Sequence, residues 1–415
     1  MRTLVAPCGF KESLTADQAA DAMARGVYSA VPTARVLKAP MVDGGEGFTN
    51  AIVRAAGGAL LYRMVKGPVG KTVCAHFGLI DTSEGRTGVI EMAAAAGLRL
   101  VPRSARDPRQ TTSYGVGELM GAALDAGAQR LLIGCGDSGI CDGGAGMAQA
   151  LGIGLLDGDG NPIGLGGSEL LRLRQIDLST SRIPRESVHI DVAVNWHNEL
   201  LGPRGVARVF GPQKGAGPEA IRELEAGLEN LTTLIWRSVR VDVGSMAGAG
   251  ASGGLGAGLA GLLGARLHPR YDIVMQYLEL DELLKRCDVV LTAEGQLDEQ
   301  TPRGKVPAEI GRRAKLLGLP VIALAGRLGR KAELNLKHGI DAYFSIVDGP
   351  RQLDTCLQDA QELLQHATEH ALRTVQIGRL LQARNTLRRT ERRTPTSRPP
   401  GETPATTRVH DPNDS

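Results

Sequence analysis

The stretch RLLIGCGDSGICDGGAGMAQALG, residues 130–152, decides the fold class of this chain. It opens with a short apolar run, passes through a loop rich in glycine and acidic residues, and ends with apolar residues at helical spacing. A strand that leads through such a loop into a helix is the building unit of an α/β protein. The backbone N–H groups of a glycine-rich loop before a helix can also bind anions such as phosphate.

The same order of strand, polar loop and helix recurs on both sides of this stretch. Thr3 to Ala6 precedes a helix-like segment, and Ala34 to Val42 leads through the loop D-G-G-E-G, residues 43–47, into a predicted helix over 48–56. Two later segments repeat the pattern, DVVLTAEGQLDEQT at 288–301 and PVIALAG at 320–326. The repetition predicts an α/β fold with mostly parallel sheets and polar loops at the carboxyl ends of the strands.

The chain length of 415 residues predicts two domains, because a domain typically holds about 100 to 200 residues. Strands at both ends of the chain are alike in character. We therefore expect one discontinuous α/β domain made of residues 1–66 and 270–373, with a second α/β domain, 67–269, inserted into it. The ligand cleft is expected between the two domains. Residues 374–415, rich in Arg, Thr and Pro, are predicted to form a disordered tail.

Composition excludes several functional classes. Aromatic residues make up 3% of the chain, too few for the stacking surfaces of many nucleic-acid binders. The net charge of +3 is more than accounted for by the last 45 residues, which carry nine Arg against four acids. There is no apolar run of membrane-spanning length, and the six cysteines are scattered. We expect a soluble cytoplasmic protein with reduced thiols, a small-molecule substrate, and neither nucleic acid nor membrane as partner.

The loop segment GCGDSG, residues 134–139, matches the pattern G-x-G-x-x-G that many dinucleotide-binding proteins share. The pattern recurs as GAGASG at 248–253, which lowers its specificity. Binding of a dinucleotide, binding of a phosphate group and a purely structural turn all remain open at this point. A P-loop is excluded, because Val65 stands where G-x-x-x-x-G-K-T requires glycine, and the H-R-D and D-F-G motifs of protein kinases are missing.

Acidic and basic residues in the predicted loops suggest a metal and phosphate site. Asp43 and Asp142 each begin a D-G-G loop, and the segment A-E-G-Q-L-D adds Glu294 and Asp298. Mg²⁺ typically takes one or two carboxylates together with substrate phosphates. Lysines lie in comparable loops and could neutralise phosphate or carboxylate charge, namely Lys11, Lys214 and Lys305. His197 is interpreted as a packed or rim residue.

Taken in order, eight segments of the chain resemble the type 1 glycerate kinase family. They are APCGFKESLTADQAADAM, DGGEG, VIEMAAAAGLRLVP, TTSYGVGELMGAALDAG, DGGAGMAQALG, GPRGVARVFGPQKGA, GASGGLGAGL and AEGQLDEQTPRGKVPAEI. The resemblance implies a flavodoxin-like domain built from both chain ends, an inserted restriction-endonuclease-like domain, and ATP with Mg²⁺ in the cleft between them. It also implies that the ATP γ-phosphate is transferred to D-glycerate, with 2-phosphoglycerate as the favoured product.

The resemblance further implies a set of site residues. Asp43, Asp142 and Glu294 are expected to hold Mg²⁺ or to activate the substrate hydroxyl, and Lys11 and Lys305 to stabilise phosphate charge. Further positions are expected to bind substrate or phosphate, namely Ser13, Glu46, Thr112, Ser138, Asn198, Lys214, Asp298 and Thr301, and Glu91 matches the family as well. Asp137 and Asn195 are also expected to bind substrate or phosphate, although both depart from the family pattern.

The chain departs from the family pattern at two loops. Where the family reads G-G-S-A-T-N-D-G-G, this chain has Asp137, and Ile140 and Cys141 precede the loop acid. Where the family reads C-D-V-D-N-P-L, Asn195 and His197 replace two carboxylates, which lowers the negative charge available for a cation. A kinase for a related hydroxy acid such as a tetronate, and a non-catalytic nucleotide-binding relative, therefore remain as alternatives.

Overall fold

The computed structural model describes residues 1–10, 13–302 and 304–391, and of residues 387–391 it describes the backbone only. Its first sheet has five strands, all parallel, in the order β13-β12-β11-β1-β2. These strands come from both ends of the described chain: β1 (Arg2–Val5), β2 (Arg35–Lys38), β11 (Val289–Leu297), β12 (Val321–Leu328) and β13 (Ala342–Ser345). The predicted α/β fold with parallel strands is confirmed in this sheet.

A second, mixed sheet has six strands in the order β10-β9-β6-β5-β4-β3. Its strands are β3 (Ala59–Lys66), β4 (Thr72–Thr82), β5 (Gly85–Glu91), β6 (Arg130–Gly134), β9 (His189–Val194) and β10 (Arg266–Pro269). Four of them are parallel, while β3 and β4 pair antiparallel at one edge. A small antiparallel pair is formed by β7 (Gly154–Leu156) and β8 (Gln175–Asp177).

Thirteen helices join the strands in the described part of the chain. They are α1 (Ala16–Ala30), α2 (Phe48–Ala56), α3 (Ala93–Ala96), α4 (Tyr114–Asp125), α5 (Ala145–Ala150), α6 (Val206–Phe210), α7 (Pro218–Val239), α8 (Ala251–Leu263), α9 (Arg270–Tyr277), α10 (Leu280–Lys285), α11 (Val306–Leu316), α12 (Leu353–Gln358) and α13 (Ala360–Glu391). Helix α1 begins with a capping box, in which the Thr15 side chain accepts from Gln18 N–H and the Gln18 side chain accepts from Thr15 N–H. None of the helices described is both long and apolar enough to cross a membrane.

Two hydrophobic cores cover the faces of the five-stranded sheet. Helices α1 and α13 pack on one face, where Met23 and Leu364 meet Val5 and Leu324. The core of the opposite face also contains residues of α2 and of the six-stranded sheet, such as Leu132. This core therefore holds the two sheets against each other.

Sheet membership differs from the predicted division of the chain at one point. Strand β3 pairs along its whole length with β4, so residues 59–66 belong to the six-stranded sheet rather than to the first segment, 1–66. At the other division the prediction coincides with the change of sheet, since β10 ends at Pro269 and α9 begins at Arg270.

The structure also differs from the prediction in the first part of the C-terminal tail. Helix α13 continues to Glu391, whereas disorder is predicted from residue 374. The segment is rich in Arg, Gln and Leu, which favour helix, and this local preference extends a helix whose first turns are buried. Residues 392–415, the rest of the predicted tail, lie outside the described residues.

Candidate active site

A cavity of about 670 Å³ lies at the carboxyl ends of strands from both sheets. Five of the predicted residues line it, namely Ser13, Asp43, Asn195, Glu294 and Lys305. A neighbouring cavity of about 500 Å³ shares Asn195, Arg270, Tyr271 and Lys305 with it and extends to His197. Ligands of open parallel sheets typically bind in this place, outside the carboxyl ends of the strands.

Glu294, near the end of β11, is the central acid of the cavity. The hydroxyl of Thr301, which is fully buried, donates to Glu294 Oε1 over 2.9 Å, and Lys305 Nζ lies 3.8 Å from the same oxygen. Within the described part of the chain no hydrogen bond reaches Oε2. Burial raises the pKa of Glu294 to about 7, although Lys305 and the Thr301 hydroxyl act in the opposite direction. This carboxyl group can therefore change its protonation state near neutral pH.

Asp298 shares these partners but has a different electrostatic environment. Burial acts to raise its pKa, but hydrogen bonds from Gln296 Nε2 and Gln300 N–H, together with the Lys305 charge, bring the pKa below its usual value. The Lys305 ammonium lies 3.5 Å from Asp298 Oδ1 and 3.3 Å from the Gln296 carbonyl oxygen. Asp298 is therefore the permanent anion that positions Lys305, beside a carboxyl group that titrates near neutral pH.

Asp43 approaches the same cavity from the loop that follows β2. Its Oδ1 accepts from Gly45 N–H over 3.2 Å, and its Oδ2 pairs with Arg270 Nη1 over 3.2 Å. The Asp43 side chain is 53% exposed, so a ligand can reach it. A left-handed backbone at Gly44 makes this tight turn possible.

The loop after β6 packs against this turn. A Cβ at Gly136 would lie 2.6 Å from Gly45 Cα, so the two loops meet backbone to backbone. Asp137 Oδ2 accepts from Glu46 N–H over 3.1 Å, and the Glu46 carboxylate pairs with Arg99. Asp137 and Glu46 thus tie the two loops together, and neither lines the two cavities described.

Lys214 is 3% exposed and lies behind the same loop. Its ammonium donates to Ser138 Oγ over 2.8 Å and to the Ile140 carbonyl over 2.6 Å. Burial lowers its pKa, against the charges of Cys141 and Asp142. In this arrangement Lys214 and Ser138 stabilise the loop, and they do not line the cavity that contains Asp43.

Asp142 is placed differently from Asp43 despite the shared D-G-G sequence. It is fully buried, and its carboxylate accepts from Ser113 N–H, Ser113 Oγ, Gly144 N–H and Gly146 N–H at 2.7 to 3.2 Å. Thr112 Oγ1 lies 3.5 Å away. Among the residues described, no three Asp, Glu, His or Cys side chains form a metal-binding group. Asp43 and Glu294 line the cavity and Asp142 does not, so the three acids of the predicted metal site lie in different environments, and their metal role stays a prediction.

The remaining predicted residues are distributed around the cavity. Ser13 Oγ donates to the Leu357 carbonyl over 2.7 Å and so connects the first loop to α12. Asn195 Oδ1 accepts from His197 N–H, while Asn198 lies in a separate depression with Arg204. Lys11 lies outside the described residues, and its predicted role stays a prediction.

Glu91 lies at the end of β5 and is 1% exposed. Its Oε2 accepts from Thr49 N–H over 3.0 Å, in the first turn of α2, and His76 Nε2 lies 3.5 Å from Oε1. Burial raises its pKa to about 7, against hydrogen bonds from Thr49 and Gly47 N–H. Glu91 holds the helix that follows the Asp43 loop without lining the cavity.

Among the cavity residues that sequence reasoning missed are Arg270, Tyr271, Gln296 and Arg327. Arg270 and Tyr271 form the start of α9, at the predicted division between the domains, and no motif marks them. Arg327 follows the apolar run of β12, and its position at the carboxyl end of a parallel strand was the available signal.

The sequence profile of the glycerate kinase family matches residues 3–376. A glycerate kinase from Halalkalibacterium halodurans is 45% identical over 371 residues, which are 89% of this chain and 97% of that protein. A glycerate 2-kinase from Escherichia coli is 42% identical over 91% of this chain and 99% of its own length. A crystal structure provisionally assigned as glycerate kinase 2 from Salmonella typhimurium has a TM-score of 0.80 and 42% identity, and covers 92% of this chain and 99% of that one.

Proposed function

This chain belongs to the glycerate kinase family and is a kinase that phosphorylates an alcohol group of glycerate with ATP, and from that premise we propose that the cavity around Asp43 and Glu294 is its active site. The observation that supports the site most directly is that cationic and carboxylate side chains from both sheets converge on one cavity. Phosphoryl transfer depends mostly on positioning and on stabilisation of charge, and this cavity offers both.

We propose that Glu294 accepts the proton of the attacking hydroxyl group. A general base works best when its pKa is near the operating pH, and the pKa of Glu294 is about 7. Thr301 donates to one carboxylate oxygen, and the other accepts no hydrogen bond from the described residues and is available to a substrate hydroxyl. Lys305, fixed by Asp298, lies close enough to offset negative charge as it develops.

Mg²⁺ is proposed as the metal that accompanies ATP, and the residues fit a site of the usual kind. Such a site needs one or two carboxylates, with water and substrate phosphates as the other ligands. Asp43 is accessible and lines the same cavity as Glu294. We do not assign Asp142 to the site, because it is buried outside this cavity and accepts from four donors within 3.2 Å. Bound Mg²⁺ would neutralise phosphate charge, and Asp43 is the residue proposed to hold it.

We also propose that the two sheets define two domains with the cleft between them. Counted within the five-stranded sheet, the strand order is 2-1-3-4-5, the order found in flavodoxin-like sheets. The product is proposed to be 2-phosphoglycerate, since one of the similar proteins is named a glycerate 2-kinase.

The test is an ADP-coupled assay with Mg²⁺ in which D-glycerate, L-glycerate and four-carbon sugar acids are compared, with the phosphate position read by phosphorus NMR. Turnover of D-glycerate to the 2-phosphate is expected. Preference for a tetronate would show that Asn195 and His197 mark a changed acceptor pocket. Binding of ATP without turnover of any acid would contradict the proposal.

The residue roles are tested by Asp43→Asn and Glu294→Gln. Each is expected to lower kcat/KM by about 100-fold or more, because each removes a charge that acts on the reacting groups. A loss of less than tenfold in either variant would contradict its role. Glu282→Gln is the matched control, since this exposed glutamate lies on α10, away from the cavity.

A further inference from the structure

Arg270 is a cation of the cavity that has no role in the proposed phosphoryl transfer. Its Nη1 pairs with Asp43 Oδ2 over 3.2 Å and its Nη2 donates to the Tyr271 hydroxyl over 2.9 Å. The guanidinium also lies 4.7 Å from the centre of the Tyr271 ring. Tyr271 therefore fixes the plane of the guanidinium in the cavity.

The single contact with Asp43 leaves Arg270 with binding capacity. A guanidinium presents two parallel N–H groups that match both oxygens of a carboxylate, and here one carboxylate oxygen meets one nitrogen. The Asp43 carboxylate is 53% exposed, so water can replace this contact at low cost. The position is thus already suited to a carboxylate, and its present partner is exchangeable.

Other cations around the cavity are less suited to this role. Lys305 is held by Asp298, Glu294 and the Gln296 carbonyl, which fixes it beside the proposed base. Arg327 is exposed at the end of β12 and is the other arginine among the described residues that line the cavity. Arg270 and Lys305 both line the two neighbouring cavities, but the Arg270 side chain is 25% exposed and has one exchangeable carboxylate partner, whereas Lys305 is held by three groups.

We propose that Arg270 binds the carboxylate group of the hydroxy-acid substrate and in doing so releases Asp43. This inference rests on the proposed function, because it takes the substrate to be a small hydroxy acid bound in this cavity. Exchange of partners would give the substrate a charged anchor opposite Glu294. It would also free one oxygen of Asp43 at the moment when ATP and its metal ion need a carboxylate.

The experiment compares D-glycerate with glyceramide, which keeps both hydroxyl groups but carries a neutral amide in place of the carboxylate. The unmodified protein is expected to prefer D-glycerate on the order of 100-fold in kcat/KM, as is typical when one partner of a charged pair is removed. Arg270→Gln should abolish most of this preference, mainly by raising KM for D-glycerate, with KM for ATP changed less than threefold. Where glyceramide is not turned over, its inhibition constant against D-glycerate serves for the comparison.

Two further variants keep the test decisive. Arg270→Lys retains the charge without the planar fork, and should keep part of the preference and a normal unfolding temperature. Arg327→Gln should leave the ratio between the two compounds unchanged. Equal losses for D-glycerate and glyceramide in both Arg270 variants, a selective rise in KM for ATP, or loss of the preference in Arg327→Gln would overturn the inference. Absence of D-glycerate turnover by the unmodified protein would instead overturn the proposed function.

Discussion

Burial raises the pKa of Glu294, the proposed general base, to about 7, and a base must be ionised to accept a proton. We therefore expect kcat/KM to rise about tenfold per pH unit below pH 7 and to level off above it. The measurement is the pH profile of kcat/KM for D-glycerate from pH 5 to 9. Glu294→Gln should remove most of the activity, and its residual kcat/KM should no longer rise with pH below pH 7; this rise is the acid limb of the profile.

A second buried carboxyl group provides the control for that profile. Glu91 also has a pKa of about 7, but it holds α2 rather than lining the cavity. Glu91→Gln should keep the acid limb near pH 7, because the titrating base is still present. Loss of the limb in Glu91→Gln, with its persistence in Glu294→Gln, would assign the titration to Glu91.

Glu91 should also shape the pH dependence of stability. Its pKa is about 7 in the folded chain and about 4.5 when unfolded, so folding favours its protonated form. This preference adds to the free energy of unfolding below pH 4.5, where Glu91 is protonated in both states. The added free energy, at most about 3 kcal/mol, is lost as pH rises from 4.5 through 7. Glu91→Gln, whose amide can donate to His76 Nε2, should therefore gain stability relative to the unmodified chain between pH 5 and pH 8. Urea unfolding at both pH values measures this difference, which should be absent in Glu282→Gln.

Particular residues show what the sequence could and could not predict about the site. Asp43, Glu294 and Lys305 were predicted because each lies in a polar segment that follows an apolar run of the sequence, and all three line the cavity. Asp142 satisfied the same criterion, but it accepts hydrogen bonds inside the protein from Ser113, 29 positions away in the chain. Arg270 was missed because its role depends on a contact with Asp43 across 227 positions of the chain. Local sequence patterns identify loops, whereas tertiary packing decides which loop side chains face a ligand.

At the scale of elements, Asp142 connects the start of α4 to the start of α5. Asp142→Ala would leave the buried N–H groups of Ser113, Gly144 and Gly146 without an acceptor. We expect a loss of about 3 kcal/mol or more in the free energy of unfolding, measured by urea denaturation. Asp142→Asn, which keeps one acceptor oxygen, should lose less. The Mg²⁺ concentration for half-maximal activity should stay within threefold in Asp142→Asn, and a shift above tenfold with unchanged stability would restore the predicted metal role.

The elements themselves were more predictable than their grouping. The strand, loop and helix order was visible at β2 and at β6, because apolar runs and D-G-G turns have local signatures. The assignment of β3 to the six-stranded sheet had no such signature, because it depends on antiparallel pairing with β4. The extension of α13 was missed for a different reason, because disorder was predicted from the Arg, Thr and Pro content of residues 374–415 as a whole, whereas the prolines lie after the end of the helix.

At the scale of the whole molecule, the chain passes between the two sheets twice, and both crossings meet at the cavity. The first crossing contains Asp43 and α2, and the second contains Arg270 and α9. The ion pair between Asp43 and Arg270 therefore joins the two crossings. If Arg270 leaves Asp43 for a substrate carboxylate, the ion pair between the two crossings is broken. Any movement of one sheet relative to the other must involve these two crossings.

Only the first part of helix α13 is buried against the rest of the protein. Its buried residues, among them Leu364, Thr368 and Leu372, pack against α1, whereas Ile377 and Leu380 are more than half exposed. The family profile ends at residue 376, where this burial ends. We expect a chain that stops after Gln376 to keep the unfolding temperature within about 2 °C and kcat/KM within twofold, because few buried contacts are removed.

A chain that stops after Asp359 is the matched comparison, because it loses the helix that covers one face of the five-stranded sheet. Exposure of the apolar residues of β1 and β12 should lower the unfolding temperature by more than 10 °C or prevent folding, as measured by circular dichroism. A large loss of stability in the chain that stops after Gln376 would show instead that the exposed turns of α13, or residues 392–415, stabilise the protein. Unchanged stability after removal of all of α13 would contradict the packing of this helix on the sheet.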